Sequence, residues 1–245
     1  MIEETVDVTT KDGRMESFVC RPERHGPFPA VFVLMDAAGI REALYDAARR
    51  LASVGYYVVL PNLYYRAGRD TIFGPDVMAE GSADHTRMRA IRTTMTIPDA
   101  MIDVAGLLDF VDGQDDAGSA AVGCHGYCMS GPYALAAAAR YPDRITAAAS
   151  FHGTWLINDV EESPHLNLGK VEGELYIGCA EHDHLAPLPM VEELRGLFEA
   201  SGAAGEIEIY PGLHHGFTHT SSKSYDKAGS ERHWERLLAL YRRRL

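Results

Sequence analysis

A chain of 245 residues with 46% hydrophobic content can bury one large core. Its net charge of −12 and pI near 5.3 argue against a nucleic-acid partner, which would want a basic face, but not against an anionic small substrate met by locally gathered positive charge. No apolar run is long enough to cross a bilayer, and the four cysteines are scattered without a CxxC pair, which excludes a membrane span and a cysteine metal cluster.

The acidic, alternating start MIEETVDVTTKDGR reads as a first strand rather than a signal peptide, so reduced thiols and a cytoplasmic location are expected. Thr5–Thr9 and Glu16–Arg21 flank a Lys-Asp-Gly turn and form an opening hairpin. Ala30–Met35 is a continuous apolar run, as in a strand covered on both faces. Leu44, Ala47, Ala48, Leu51 and Ala52 then fall on one helical stripe, and Tyr56–Leu60 is the next strand. From Asn62 to about Thr96 the chain is polar and glycine-bearing, with no clean period before its arginine-rich part. A connection of that length inside one domain spanning 1–245 reads as a lid-like insertion at about 62–96.

A helix returns with Met101, Val104, Ala105 and Leu108, followed by a strand at Ala120–Gly126, an alanine-rich helix at Ser130–Arg140 and a strand at Ile145–Phe151. Glu174–Gly178 is a strand, and Pro189–Glu199 a helix with Met190, Leu194, Leu197 and Phe198 inward. Glu206–Tyr210 alternates strictly, as near a sheet edge, and the last helix turns Trp234, Leu237, Leu238 and Tyr241 to one side. Strands alternating with amphipathic helices define an α/β fold, a mostly parallel sheet with helices on both faces.

The segment Gly126-Tyr-Cys128-Met-Ser130 runs from a strand straight into a helix. This is G-x-C-x-[small], the cysteine form of a nucleophile elbow: the sharp turn strains the nucleophile's backbone, and its flanks must be small. It puts Cys128 at a helix N-terminus, where free N–H groups and the dipole favour a thiolate and a developing oxyanion. Alone, the pattern leaves open a merely buried Cys128, and Cys20, Cys124 and Cys179 lack the elbow context and read as core. On this fold the acid and histidine follow the nucleophile in that order. Asp183, beyond the strand of Glu174–Gly178 and before a proline-opened helix, is the acid, with Glu181 its local competitor. His215, on the loop after Tyr210, is the base, preferred over His214 because it directly precedes Gly-Phe. The oxyanion hole is expected from the backbone N–H of Met129 and of Ala37, the latter in the small-residue loop after Met35.

The segments VFVLMDAAGIR (31–41), GYYVVLPNLYYR (55–66), GCHGYCMSG (123–131), EHDHLAP (181–187) and YPGLHHGF (210–217) span almost the whole chain in order, and together they resemble the dienelactone hydrolase family. The resemblance implies an eight-stranded α/β-hydrolase sheet, no metal or organic cofactor, and hydrolysis of an enol-lactone (dienelactone) to maleylacetate. It also implies that the acid after the third strand, Asp36 here and glutamate in the family, touches and activates the thiol. Asp36 as a cap of the following helix is the alternative. The chain departs from the family at Ser130, where glycine is usual, and at Gly216–His219, which lacks the arginine that follows the family's histidine.

Candidates for holding a substrate carboxylate are therefore Arg66, Arg89 and Arg92, the last two at i, i+3, with a solvated charged face as the alternative. Tyr64 and Trp155 could line the pocket or belong to the core. The expected partner is a small ester or lactone, with anionic substrates allowed, and the expected assembly a monomer or small homo-oligomer. A broad carboxylesterase and a non-catalytic thiol redox sensor on the same fold are the competing readings.

Overall fold

The computed structural model describes all 245 residues except His25, Asp70, Pro75 and Glu161. Its contacts cluster into two units, Met1–Ser119 and Ala120–Leu245. In the first, β1 (Ile2–Thr10) and β2 (Gly13–Arg21) form an antiparallel hairpin whose turn pairs Thr10 with Gly13. The hairpin runs further on both arms than the alternation alone suggested. β2 pairs antiparallel with β4 (Tyr57–Pro61), and β4 pairs parallel with β3 (Phe28–Leu34), giving the order β1-β2-β4-β3. Both inner strands are apolar nearly throughout, as strands covered on both faces must be. α1 (Glu42–Ser53) buries Leu44, Ala47, Ala48, Leu51 and Ala52, the stripe its spacing sets out.

The 62–96 stretch is more ordered than its composition suggests. Tyr65–Ala67 make a 3-10 turn, and α2 (Ala83–Arg92) is capped by Ser82, whose hydroxyl accepts from His85 N at 3.0 Å. That cap was in the sequence, but α2 buries only Met88, so no apolar period announced the helix. α3 (Ile97–Asp112) opens on a reciprocal capping box between Thr96 and Asp99 with Pro98 in its first turn, worth about 1 kcal/mol to the helix start.

In the second unit β5 (Ala117–Tyr127, which enters it at Ala120), β6 (Ile145–Phe151), β7 (Glu174–His182) and β8 (Ala204–His214) run parallel in that order, with β8 at the edge. β7 and β8 outrun the segments read from the sequence, so Asp183 and His215 each stand immediately after a strand's last residue. α4 (Gly131–Arg140) is buried along most of its length, which its alanines permit. α5 (Leu188–Ser201) turns Val191, Leu194 and Phe198 inward; Leu197 is exposed and Met190 half-buried, correcting the predicted face by part of a turn. In α6 (Lys227–Arg244), His233 and Leu240 join Trp234, Leu237 and Tyr241 inside, while Leu238 is half-buried. Among the described residues no helix is long and apolar enough to cross a membrane.

Candidate active site

β5 ends at Tyr127, Cys128–Ser130 make one 3-10 turn, and α4 starts at Gly131. Cys128 sits at φ +53°, a left-handed backbone that non-glycine residues rarely adopt. Three features hold it there. A Cβ at Gly126 would collide with the carbonyl and hydroxyl of Ser130, so only glycine fits. The Ser130 hydroxyl accepts from Tyr127 N at 3.0 Å and donates to Tyr127 O at 3.2 Å, clasping the turn from inside. Thr154 N donates to the Cys128 carbonyl at 3.1 Å. Ser130 is thus a clasp that a glycine could not provide. The other thiols are buried in the core, where desolvation pushes Cys20 and Cys179 up to about 12 and Cys124 upward as well.

Asp183 lies just past β7, and His215 just past β8. The imidazole Nδ1 donates to Asp183 Oδ2 at 2.6 Å, and Asp183 Oδ1 accepts from Leu185 N at 2.9 Å. The Asp183 side chain is wholly buried. Burial works against a charge on His215, but its hydrogen bonds to Asp183 and Cys128, with the two negative charges behind them, outweigh it and lift the imidazole to about 10. The structure therefore brings Cys128, His215 and Asp183 into one hydrogen-bonded chain. His214 instead stacks beside His182, ring centroids 4.9 Å apart, and Glu181 accepts from Gly212 N at 2.6 Å, anchoring the turn before the histidines.

The remaining candidates divide by unit. Met129 is buried within the turn that carries Cys128. Trp155, at φ +50°, is 44% exposed, so it is not a core aromatic. In the first unit, Asp36 accepts from Ala38 N at 2.9 Å and is gripped by both terminal nitrogens of Arg41 at 2.7 Å. It does not cap α1, whose N-cap is Arg41; it closes the 36–39 turn that contains Ala37. Tyr64, fully buried, donates to the Ala37 carbonyl at 2.9 Å, so the 62–96 stretch helps hold that turn. Arg66 is spent on carboxylates: Asp103, wholly buried on α3, at 2.8 Å and Asp12 at 2.7 Å. Burial pushes the Asp103 carboxyl up and Arg66 pulls it back, which makes this arginine a neutralising partner inside the fold. Arg89 is exposed on α2, and Arg92 is half-buried near that helix's end. A five-residue spacing within a loop has no period, so nothing in the sequence announces the Asp36–Arg41 ion pair.

Around the elbow lie imidazoles that the sequence reading did not single out. His125 donates to or accepts from Tyr241 Oη at 2.8 Å, and His152 is bonded through Nε2 to Thr218 Oγ1 at 2.9 Å. Burial drives His125 down to about 3, and burial with the neighbouring His215, His219 and His233 drives His152 well below its ordinary 6.5. Both stay neutral in the folded state yet accept protons near pH 6.5 when unfolded. The unfolded chain therefore binds more protons as pH falls, and stability is lost below 6.5 by up to about 1.4 kcal/mol per pH unit for each. His215, raised to about 10 in the fold, works the other way near pH 6.5, where its unfolded imidazole is still taking up a proton, and stops contributing to the slope as pH falls further. The urea midpoint is expected to fall steadily from pH 6.5 to 5; a level midpoint would mean these rings are solvated.

A strand-turn-helix elbow followed by an acid and a histidine, each after its own strand, defines the α/β-hydrolase class. A family model described as "Dienelactone hydrolase family" matches residues 15–245, and the chain belongs to that family of hydrolases. A Methylorubrum extorquens protein named "Putative carboxymethylenebutenolidase" is 26% identical over 246 residues, covering 97% of this chain and 79% of the relative. The crystal structure titled "Putative Dienelactone Hydrolase" from Klebsiella pneumoniae superposes with a TM-score of 0.86 at 23% identity, covering 98% of both chains. A dienelactone hydrolase-like promiscuous phosphotriesterase from metagenomic libraries gives 0.78 at 20% identity, covering 99% of this chain and 98% of that one. The fold is that of these structures: an eight-stranded, mostly parallel α/β-hydrolase sheet.

Proposed function

We propose that this hydrolase cleaves small esters or lactones through a thioester formed on Cys128. The observation that carries the reading is the bonded series Cys128–His215–Asp183 with Cys128 in a strained turn at the head of α4. His215 holds the thiol proton, and Sγ attacks the substrate carbonyl carbon. The tetrahedral oxyanion gathers at the Met129 N–H, where the α4 dipole adds its field. Collapse breaks the C–O bond, and His215 hands its proton to the departing oxygen. Water then attacks the thioester with His215 as base, releasing the acid and returning the thiol. Asp183 fixes the imidazole so that Nδ1 faces the carboxylate and Nε2 the sulfur.

The relatives' shared name puts enol-lactones first among the substrates to try. Arg66, engaged by Asp103 and Asp12, neutralises carboxylates of the chain itself and is withdrawn as a partner for a substrate carboxylate. Turnover of p-nitrophenyl acetate against a dienelactone tests both halves of the reading. Hydrolysis of either supports the chemistry, and a preference for the lactone supports the substrate class. An intact, folded protein that hydrolyses neither would overturn it.

A further inference from the structure

We infer that His152 is a positioning residue for His215, at the head of a strained tetrapeptide, His152-Gly-Thr-Trp155, that braces the loops carrying Cys128, Asp183 and His215; this rests on the triad reading above. Apart from Cys128, the described non-glycine residues with positive φ are His152 (+39°) and Trp155 (+50°), the two ends of this tetrapeptide. Such backbone persists only where the surroundings impose it. The bonds that impose it lead to each part of the site. His152 N donates to Gly178 O of β7 at 2.7 Å, Thr154 N to Cys128 O at 3.1 Å, and Trp155 N to Leu185 O at 3.2 Å. Leu185 N in turn holds Asp183 Oδ1. The fourth tie is from the side chain, His152 Nε2 to Thr218 Oγ1, three residues beyond His215.

The His152 ring also lies against His215, centroids 4.9 Å apart at 70°. An imidazole that carries a proton through the reaction needs a neighbour that will not compete for it. His152 is 1% exposed, faces His215, His219 and His233, and is held neutral by that burial. It supplies a fixed, uncharged wall, while Cys128 and Asp183 face His215 from the other elements.

Three variants separate this from plain packing. His152→Phe and Thr218→Val each break the tie to the His215 loop; His152→Gln keeps a donor for Thr218. The readouts are kcat and KM with an activated ester, near-UV circular dichroism, and the pH dependence of Cys128 alkylation by iodoacetamide, followed by peptide mapping. We expect a ten-fold or greater loss of kcat in the Phe and Val variants with KM within two-fold, an alkylation profile shifted by at least half a pH unit, and His152→Gln within about three-fold of the parent. Should His152→Phe fail to fold, Thr218→Val alone decides. Folded variants with the parent's kcat and alkylation profile would overturn the role, as would a loss of kcat without any profile shift. Alkylation requires no turnover, so a parent that hydrolyses no ester would sink the proposed function while the profile still judged His152.

Discussion

Replacing Cys128 by alanine is expected to lower ester turnover by roughly 10⁴- to 10⁶-fold, the cost of deleting a nucleophile whose partners cannot act without it. The same change should leave the fold in place. The bonds that shape the elbow run through backbone groups and the Ser130 hydroxyl, and none uses Sγ. Cys128 is buried at the start of the turn, and exchanging it for alanine removes one heavy atom, so little internal space opens. Near-UV circular dichroism and the urea midpoint should match the parent's while hydrolysis disappears. Substantial turnover by folded Cys128→Ala would show that some other group attacks the carbonyl. Cys128→Ser is the weaker test, since His215 could still activate a hydroxyl poorly.

Asp183→Asn should cost about 10³- to 10⁴-fold in kcat, because an amide can present N–H to Nδ1 and stabilise the wrong tautomer. The asparagine oxygen can still accept from Leu185 N, so the loop need not move. The pH profile carries a second signature. His215, raised to about 10, keeps its proton at neutral pH, and the imidazolium paired with the Cys128 sulfur is lost only as pH climbs through that value. Without the Asp183 charge the imidazole gives up its proton at lower pH, and the alkaline limb of kcat/KM moves down. A limb that stays in place in Asp183→Asn would mean that the carboxylate does not support the charge on His215.

Much of this site was legible because its signals are local. Gly126-x-Cys128-x-Ser130 encodes a turn so tight that a Cβ at its first position meets the backbone at its last, and the order of Asp183 and His215 follows from strand succession. What stayed hidden depends on tertiary neighbours. Arg66 looked available for an anion because Asp103, 37 residues on, gives no hint of its complete burial. Asp36 and Arg41 share a loop whose curvature, not a helical period, brings them together. His152 stood in plain view within FHGTW, but a left-handed backbone at a non-glycine residue leaves no mark in composition or periodicity. The α5 face was misplaced because leucine and methionine sit on both sides of Val191, so hydrophobicity alone underdetermines the phase.

Cysteine as the attacking group is the central claim, and rapid quench of the enzyme with p-nitrophenyl acetate, followed by peptide mass spectrometry, tests it most directly. An acetyl adduct is expected on the peptide containing Cys128, formed as the nitrophenol burst appears and lost when hydroxylamine is added. Turnover with no adduct at Cys128, or with the acetyl group on another residue, would contradict it.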